Sequence, residues 1–102
     1  MTHPRKSLNS VIHAPLRFSI VAALASVDEA DFKTLREAIE ITDSALSKQI
    51  TLLEQASYVK VRKTFVGKRP RTWLSLTNEG RTAFTRHLTA LREIVDWSAA
   101  NL

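Results

Sequence analysis

The chain has 102 residues, enough for one hydrophobic core and too few for two. Apolar and charged fractions of 44% and 25% are those of a globular domain and exclude wholesale disorder, and the lack of cysteine excludes a disulfide scaffold or a Cys-rich zinc centre. A formal net charge of +5 favours an anionic partner, above all because of where the charge lies.

Residues 1–13 form a basic lead-in in which only Leu8, Val11 and Ile12 are large and apolar; it is either loose or packed on a partner through those residues. It lacks the continuous apolar core and cleavage pattern of a signal peptide, and no run is long enough to cross a bilayer. A cytoplasmic location with no membrane contact is therefore expected. His3 and His13 stand too far from other ligand types to suggest a metal site.

Pro15 opens the first predicted helix, where a missing N–H leaves nothing unsatisfied, and Leu16, Ile20, Val21 and Leu24 give it a core face. The pattern fades near Ser26. Asp31 is a good cap for a short second helix over residues 32–38, burying Phe32 and Leu35. The link Ile39-Glu40-Ile41-Thr42 has the short length of the turn in a helix-turn-helix. A third helix then starts after Thr42 or Asp43, both N-cap types. Leu46, Ile50 and Leu53 form its buried stripe, while Ser44, Lys48, Thr51 and Gln55 lie opposite, with Ser47 at the edge. Any solvated helix face is polar, but one this small and hydrogen-bonding also fits a major groove.

After Ser57 the apolar period changes from 3.6 to 2. Residues 58–66 read as a strand, with Val59, Val61 and Lys63 on one face and Lys60, Arg62 and Thr64 on the other. Gly67-Lys68-Arg69-Pro70 supplies a reversal, and residues 71–76 return as a second strand. Residues 60–71 hold six cations and no acid, whereas residues 28–40 hold five acids against Lys33 and Arg36. Charge so segregated points to a polyanion on one side of the molecule, although cations also protect an edge strand from aggregation.

Thr77 caps a long last helix, with Glu79 in its first turn, where the helix dipole favours a negative charge. Phe84, Leu88, Leu91 and Val95 alternate spacings of four and three, and Ile94 and Trp97 add to an apolar end that suits a homodimer seam. The expected fold class is thus α+β, mainly α with a small β-hairpin.

Several strings resemble the small single-domain winged helix-turn-helix regulators of bacteria and archaea, of the MarR and ArsR types. They are Leu46-Ser47-Lys48, Tyr58-Val59, the wing over residues 63–72, and Leu76-Thr77 followed by Gly80-Arg81. The resemblance covers residues 13–95. It divides the chain into a lead-in (1–12), a winged helix-turn-helix (13–76) and a C-terminal dimerisation helix (77–102).

What it implies is a homodimer on pseudo-palindromic double-stranded DNA, reading helices in successive major grooves and wings on the backbone or in a minor groove. Ser44, Ala45, Ser47, Lys48 and Thr51 become the major-groove set, and Lys63, Lys68, Arg69 and Arg71 the wing contacts. Leu8, Ile12, Leu88, Leu91, Ile94, Val95 and Trp97 become the dimer interface. Two residues depart from the pattern: Ser57, where the family usually has glycine, and Leu52, which lies off the buried stripe.

No nucleophilic cysteine, His–carboxylate cluster or glycine-rich phosphate loop suggests an enzyme, and no metal or cofactor is expected. A small effector has room near Phe18, Trp73, Phe84 or Trp97, aromatics whose simpler reading is core. A domain with no activation module more simply acts as a repressor. The rival reading is a winged-helix interaction or RNA-binding module without operator specificity.

Overall fold

The computed structural model describes residues 2–102. A 3-10 turn at Pro4–Ser7 precedes α1 (Ser10–His13), α2 (Pro15–Ala25), the short strand β1 (Ala30–Asp31), α3 (Phe32–Ile39), α4 (Asp43–Gln55), the hairpin strands β2 (Val59–Val66) and β3 (Arg69–Leu76), and α5 (Asn78–Asn101). The helix starts follow the capping chemistry. Asp31 accepts the Thr34 N–H at 3.0 Å, Thr42 Oγ1 accepts that of Ala45 at 3.1 Å, and Thr77 Oγ1 accepts that of Gly80 at 2.9 Å. The Thr34 amide, and then the Thr34 hydroxyl, hold the Asp31 carboxyl below its usual pKa, with Arg71 adding a smaller pull.

Ile20, Val21 and Leu24 of α2, Leu35 of α3, Leu46, Ile50 and Leu53 of α4, and Val59, Leu74 and Leu76 of the sheet make one core. Each fully buried Leu or Ile contributes about 1.5–3 kcal/mol. The sheet order is β1-β3-β2, all antiparallel. β1 has no period to read in two residues; it exists because Ala30 and Asp31 lie along Leu74 and Trp73.

The hairpin is tighter than expected. Val66 pairs with Arg69, so the reversal is only Gly67-Lys68, and Arg69 and Pro70 belong to β3. Gly67, first of the two turn residues, takes a φ of 63°, as a type II′ turn requires. Pro70 lies beyond the two residues that pair with β1, where the edge of β3 is open and a proline is tolerated.

The lead-in packs on its own chain, with the 3-10 turn and α1 lying against α5. Ile12 is fully buried in the protomer core, so its assignment to a dimer interface is corrected: α1 packs on α2 and α5 and places this side chain inside. Leu8 is half-buried in a groove with Tyr58 and Ala83. With α5 a helix of 24 residues, the molecule is elongated, 60 × 25 × 21 Å. The radius of gyration is 15.8 Å, against about 13 Å for a compact domain of this length.

Candidate nucleic-acid interface

α4 is positioned at both ends by left-handed residues that are not glycine. Glu40, at φ 60°, closes α3, with the Ile41 N–H returning to the Arg36 carbonyl at 3.3 Å. Ser57, at φ 65°, follows the C-cap Ala56. There the Ser57 N–H donates to Glu54 O and the Tyr58 N–H to Leu53 O, both at 2.9 Å, the two bonds of a Schellman motif. This is the strain implied by the absence of glycine at position 57; Glu40 carries the same strain and gave no sign of it in the sequence.

Leu46, Ile50 and Leu53 fix the rotation of α4 and turn Ser44, Ser47, Lys48 and Thr51 to the exposed side. Ala45 is half-buried, and Leu52 is exposed at 37%. The Thr51 hydroxyl donates to Ser47 O at 3.0 Å, which leaves its oxygen free to accept. At the N-terminal end the Arg36 guanidinium pairs with Asp43 at 2.8 Å, tying α3 to α4.

The wing residues do not form one patch. Cross-strand partners share a face, so Lys63–Thr72 and Phe65–Pro70 continue the inner face of Val61–Leu74, while Thr64–Arg71 and Val66–Arg69 lie on the outer face. On the inner side Lys63 and Thr72 share a cleft with Ser47 and Thr51 of α4 and with Phe32. On the outer side the guanidinium groups of Arg62 and Arg71 each lie 5.7 Å from the Trp73 ring centroid, within cation–π range. Arg62 also pairs with Glu29 at 2.5 Å, and the Trp73 indole donates to Thr64 Oγ1 at 3.2 Å. Lys68 is at the tip. Among the described residues Lys48, Lys63, Lys68, Arg69 and Arg71 enter no ion pair.

Arg62 and Trp73 were not among the expected contacts. The alternation along β2 and β3 could have placed both beside Arg71.

On α5, Leu88, Val95 and Trp97 are exposed and Leu91 and Ile94 half-buried, with His3 edge-on to Trp97 at 4.7 Å. Phe18 of α2 and Phe84 of α5 pack on each other, ring centroids 5.8 Å apart, and are half-buried against the core. His13 is not isolated, as its spacing suggested: its Nδ1 lies 3.4 Å from His87 Nε2. Among the described residues no three potential metal ligands cluster, and no helix is long and apolar enough to cross a membrane.

A family model, the winged helix DNA-binding domain, matches residues 16–95, which include this helix face and hairpin. The chain belongs to that family. This winged helix is 29% identical over 89 residues to an uncharacterized protein of Methanocaldococcus jannaschii, covering 87% of this chain and 92% of that one. It is similar to the structure of a transcriptional regulator homologue from Pyrococcus horikoshii OT3, with 27% identity, a TM-score of 0.85, and 94% and 96% of the two chains covered. It is also similar to NadR, whose structure contains 4-hydroxyphenylacetate, with 28% identity and a TM-score of 0.69 over 98% of this chain and 68% of that one. The small, single-domain winged helix expected from the sequence is what the family match and these neighbours give.

Proposed function

We propose that this winged helix is a homodimeric, sequence-specific transcriptional regulator that binds double-stranded DNA and acts as a repressor. The observation that carries the reading is the continuity of the α4 face with the wing. Ser47 and Thr51 share a cleft with Lys63, and the hairpin beyond it carries only positive charge. Ser44, Ala45, Ser47, Lys48 and Thr51 would meet base edges and phosphates in the major groove, and Lys63, Lys68, Arg69 and Arg71 would hold the flanking backbone. With one lysine and no arginine on the reading face, base discrimination there is weak. Shape readout by the wing arginines in a narrow minor groove supplies the rest.

Dimerisation is supported by α5, whose Leu88, Val95 and Trp97 expose apolar surface along a helix of 24 residues. A small-molecule effector is in keeping with NadR and its bound 4-hydroxyphenylacetate. The open groove lined by Asn9, Tyr58, Arg86 and His87 offers it a place here.

The test is affinity selection of fragmented genomic DNA near physiological salt, where phosphate-only binding is suppressed. The expected result is a two-fold symmetric site with half-sites about one helical turn apart. No preferred sequence, or preference for A-form RNA in competition, would replace the operator reading by the interaction-module reading. Sedimentation of the free protein tests the dimer separately: Trp97→Glu should shift it to monomer.

A further inference from the structure

The wing ends in apolar surface. Phe65 is 73% exposed and Val66 54%, at the tip of a hairpin whose other side chains are mostly charged. Nothing in the fold requires a phenylalanine at position 65: the core face of the sheet is complete at Val59, Leu74 and Leu76, and Phe65 lies beyond the Lys63–Thr72 pair. Its cross-strand partner is Pro70, so two adjacent apolar groups occupy the outermost inner-face position.

That face is the one directed to α4, since Val61 and Lys63 line a cleft with Ser47 and Thr51. One step of side-chain alternation carries Phe65 about 7 Å farther along β2 than Lys63. Lys63 precedes it on the same face, Lys68 lies in the turn, Arg69 and Arg71 lie on the opposite face, and no acid occurs between Tyr58 and Asn78.

We propose that Phe65, backed by Pro70, is a wedge that enters the minor groove flanking the site read by α4, unstacks a pyrimidine–purine step and kinks the duplex. This rests on the DNA-binding reading above. The charge pattern selects the occupant. Cations on both faces of the hairpin seat the tip between the phosphate rails of a duplex and repel a second copy of the same tip. The Phe65 and Pro70 side chains have no group to hydrogen-bond a base edge, so their use in a groove is contact with sugar and with an exposed base face. Weakly stacked steps such as TA open most easily, which gives the wing a sequence preference that polar side chains alone would not.

The experiment uses a duplex of about 30 base pairs containing TA steps, with 2-aminopurine in place of one step adenine and an energy-transfer pair at the ends, and a matched A-tract duplex as control. Binding of the full chain at low salt should raise 2-aminopurine fluorescence and shorten the end-to-end distance on the TA duplex only. Phe65→Ala should abolish both signals while weakening binding by less than about tenfold and leaving the salt slope unchanged, because the phosphate contacts remain. Phe65→Trp should retain them. Phe65 is outside the core, so these variants fold. Binding without fluorescence change, or equal signals from the wild type and Phe65→Ala, would overturn the wedge and leave the DNA-binding reading standing; no binding to either duplex would sink both. Loss of self-association in Phe65→Ala, with no change on DNA, would assign the patch to a second copy instead.

Discussion

Gly80 passes so close to Tyr58 that a methyl group on it would sit 2.2 Å from the Tyr58 carbonyl oxygen. That oxygen already accepts the Thr77 N–H at 3.0 Å, and the Thr77 hydroxyl donates to Ser57 O at 2.6 Å. The end of α4 and the start of α5 are therefore locked backbone to backbone. This junction sets the position of α4 relative to α5, and in the proposed dimer it would set the spacing of the two α4 helices. In Gly80→Ala the clash is with backbone, which cannot swing aside as a side chain can. The gain in helix propensity of about 1 kcal/mol does not offset it, and a net loss of about 1–3 kcal/mol is expected. A urea-unfolding midpoint lowered with unchanged m-value would show it; an unchanged midpoint would mean the junction yields freely.

Glu40 and Ser57 invite the opposite change. Both hold a left-handed backbone that glycine adopts without strain, and their structural hydrogen bonds are made by main-chain atoms. Ser57→Gly and Glu40→Gly should each stabilise by up to about 1 kcal/mol, the relief of left-handed strain exceeding glycine's extra unfolded-state entropy. Thermal midpoints of the two single variants and the double variant decide it, and near-additivity is expected if the two caps are independent.

His87 links stability to pH. It is buried, its Nδ1 accepts the Asn9 N–H at 3.0 Å, and its neutral ring therefore carries the proton on Nε2, facing His13 Nδ1. Burial, and then the charge of His13, push its pKa below the usual histidine value; Tyr58, Glu79 and Arg86 line the adjoining groove. The unfolded chain, with a histidine pKa near about 6.5, binds a proton more readily than the folded one. The stabilisation is therefore complete above that value and is lost as the pH falls from it through the lower folded pKa. Melting temperature should drop between pH 7.5 and pH 5. His87→Gln should be less stable at pH 7.5 and show a shallower drop. An equal drop in the variant would assign the pH dependence to other groups.

The two kinds of DNA contact proposed for α4 and for the wing would separate in mutants. Lys48→Ala, on α4, should weaken duplex binding and reduce the salt slope by about 1 if the ammonium meets a phosphate. Arg69→Ala should weaken binding and selectively lower the preference for A·T-rich flanks, as expected of an arginine in a narrow minor groove. Uniform weakening across flanks would make Arg69 a phosphate contact only. Fluorescence anisotropy titrations on duplexes differing only in their flanks measure both.

The sequence by itself determined the four longer helices, the caps at Asp31, Thr42 and Thr77 and the existence of the hairpin, because these are set by neighbours within a few residues. Leu46, Ile50 and Leu53 recur at helical spacing, Thr42 and Thr77 precede the turns they cap, and Val59 and Val61 alternate. It also determined the charge segregation and, through residues 46–48 and 63–72, the family. Only the tertiary structure decided what depends on distant residues meeting. Ile12 had the composition of an interface residue and lies in the core, because α1 folds back on α2 and α5. His13 and His87 are 74 positions apart and touch. Strand register, fixed by a two-residue turn, divided one run of cations into an inner face beside α4 and an outer face on Trp73. Local pattern gives the direction of each side chain relative to its own element; only packing says what that direction faces.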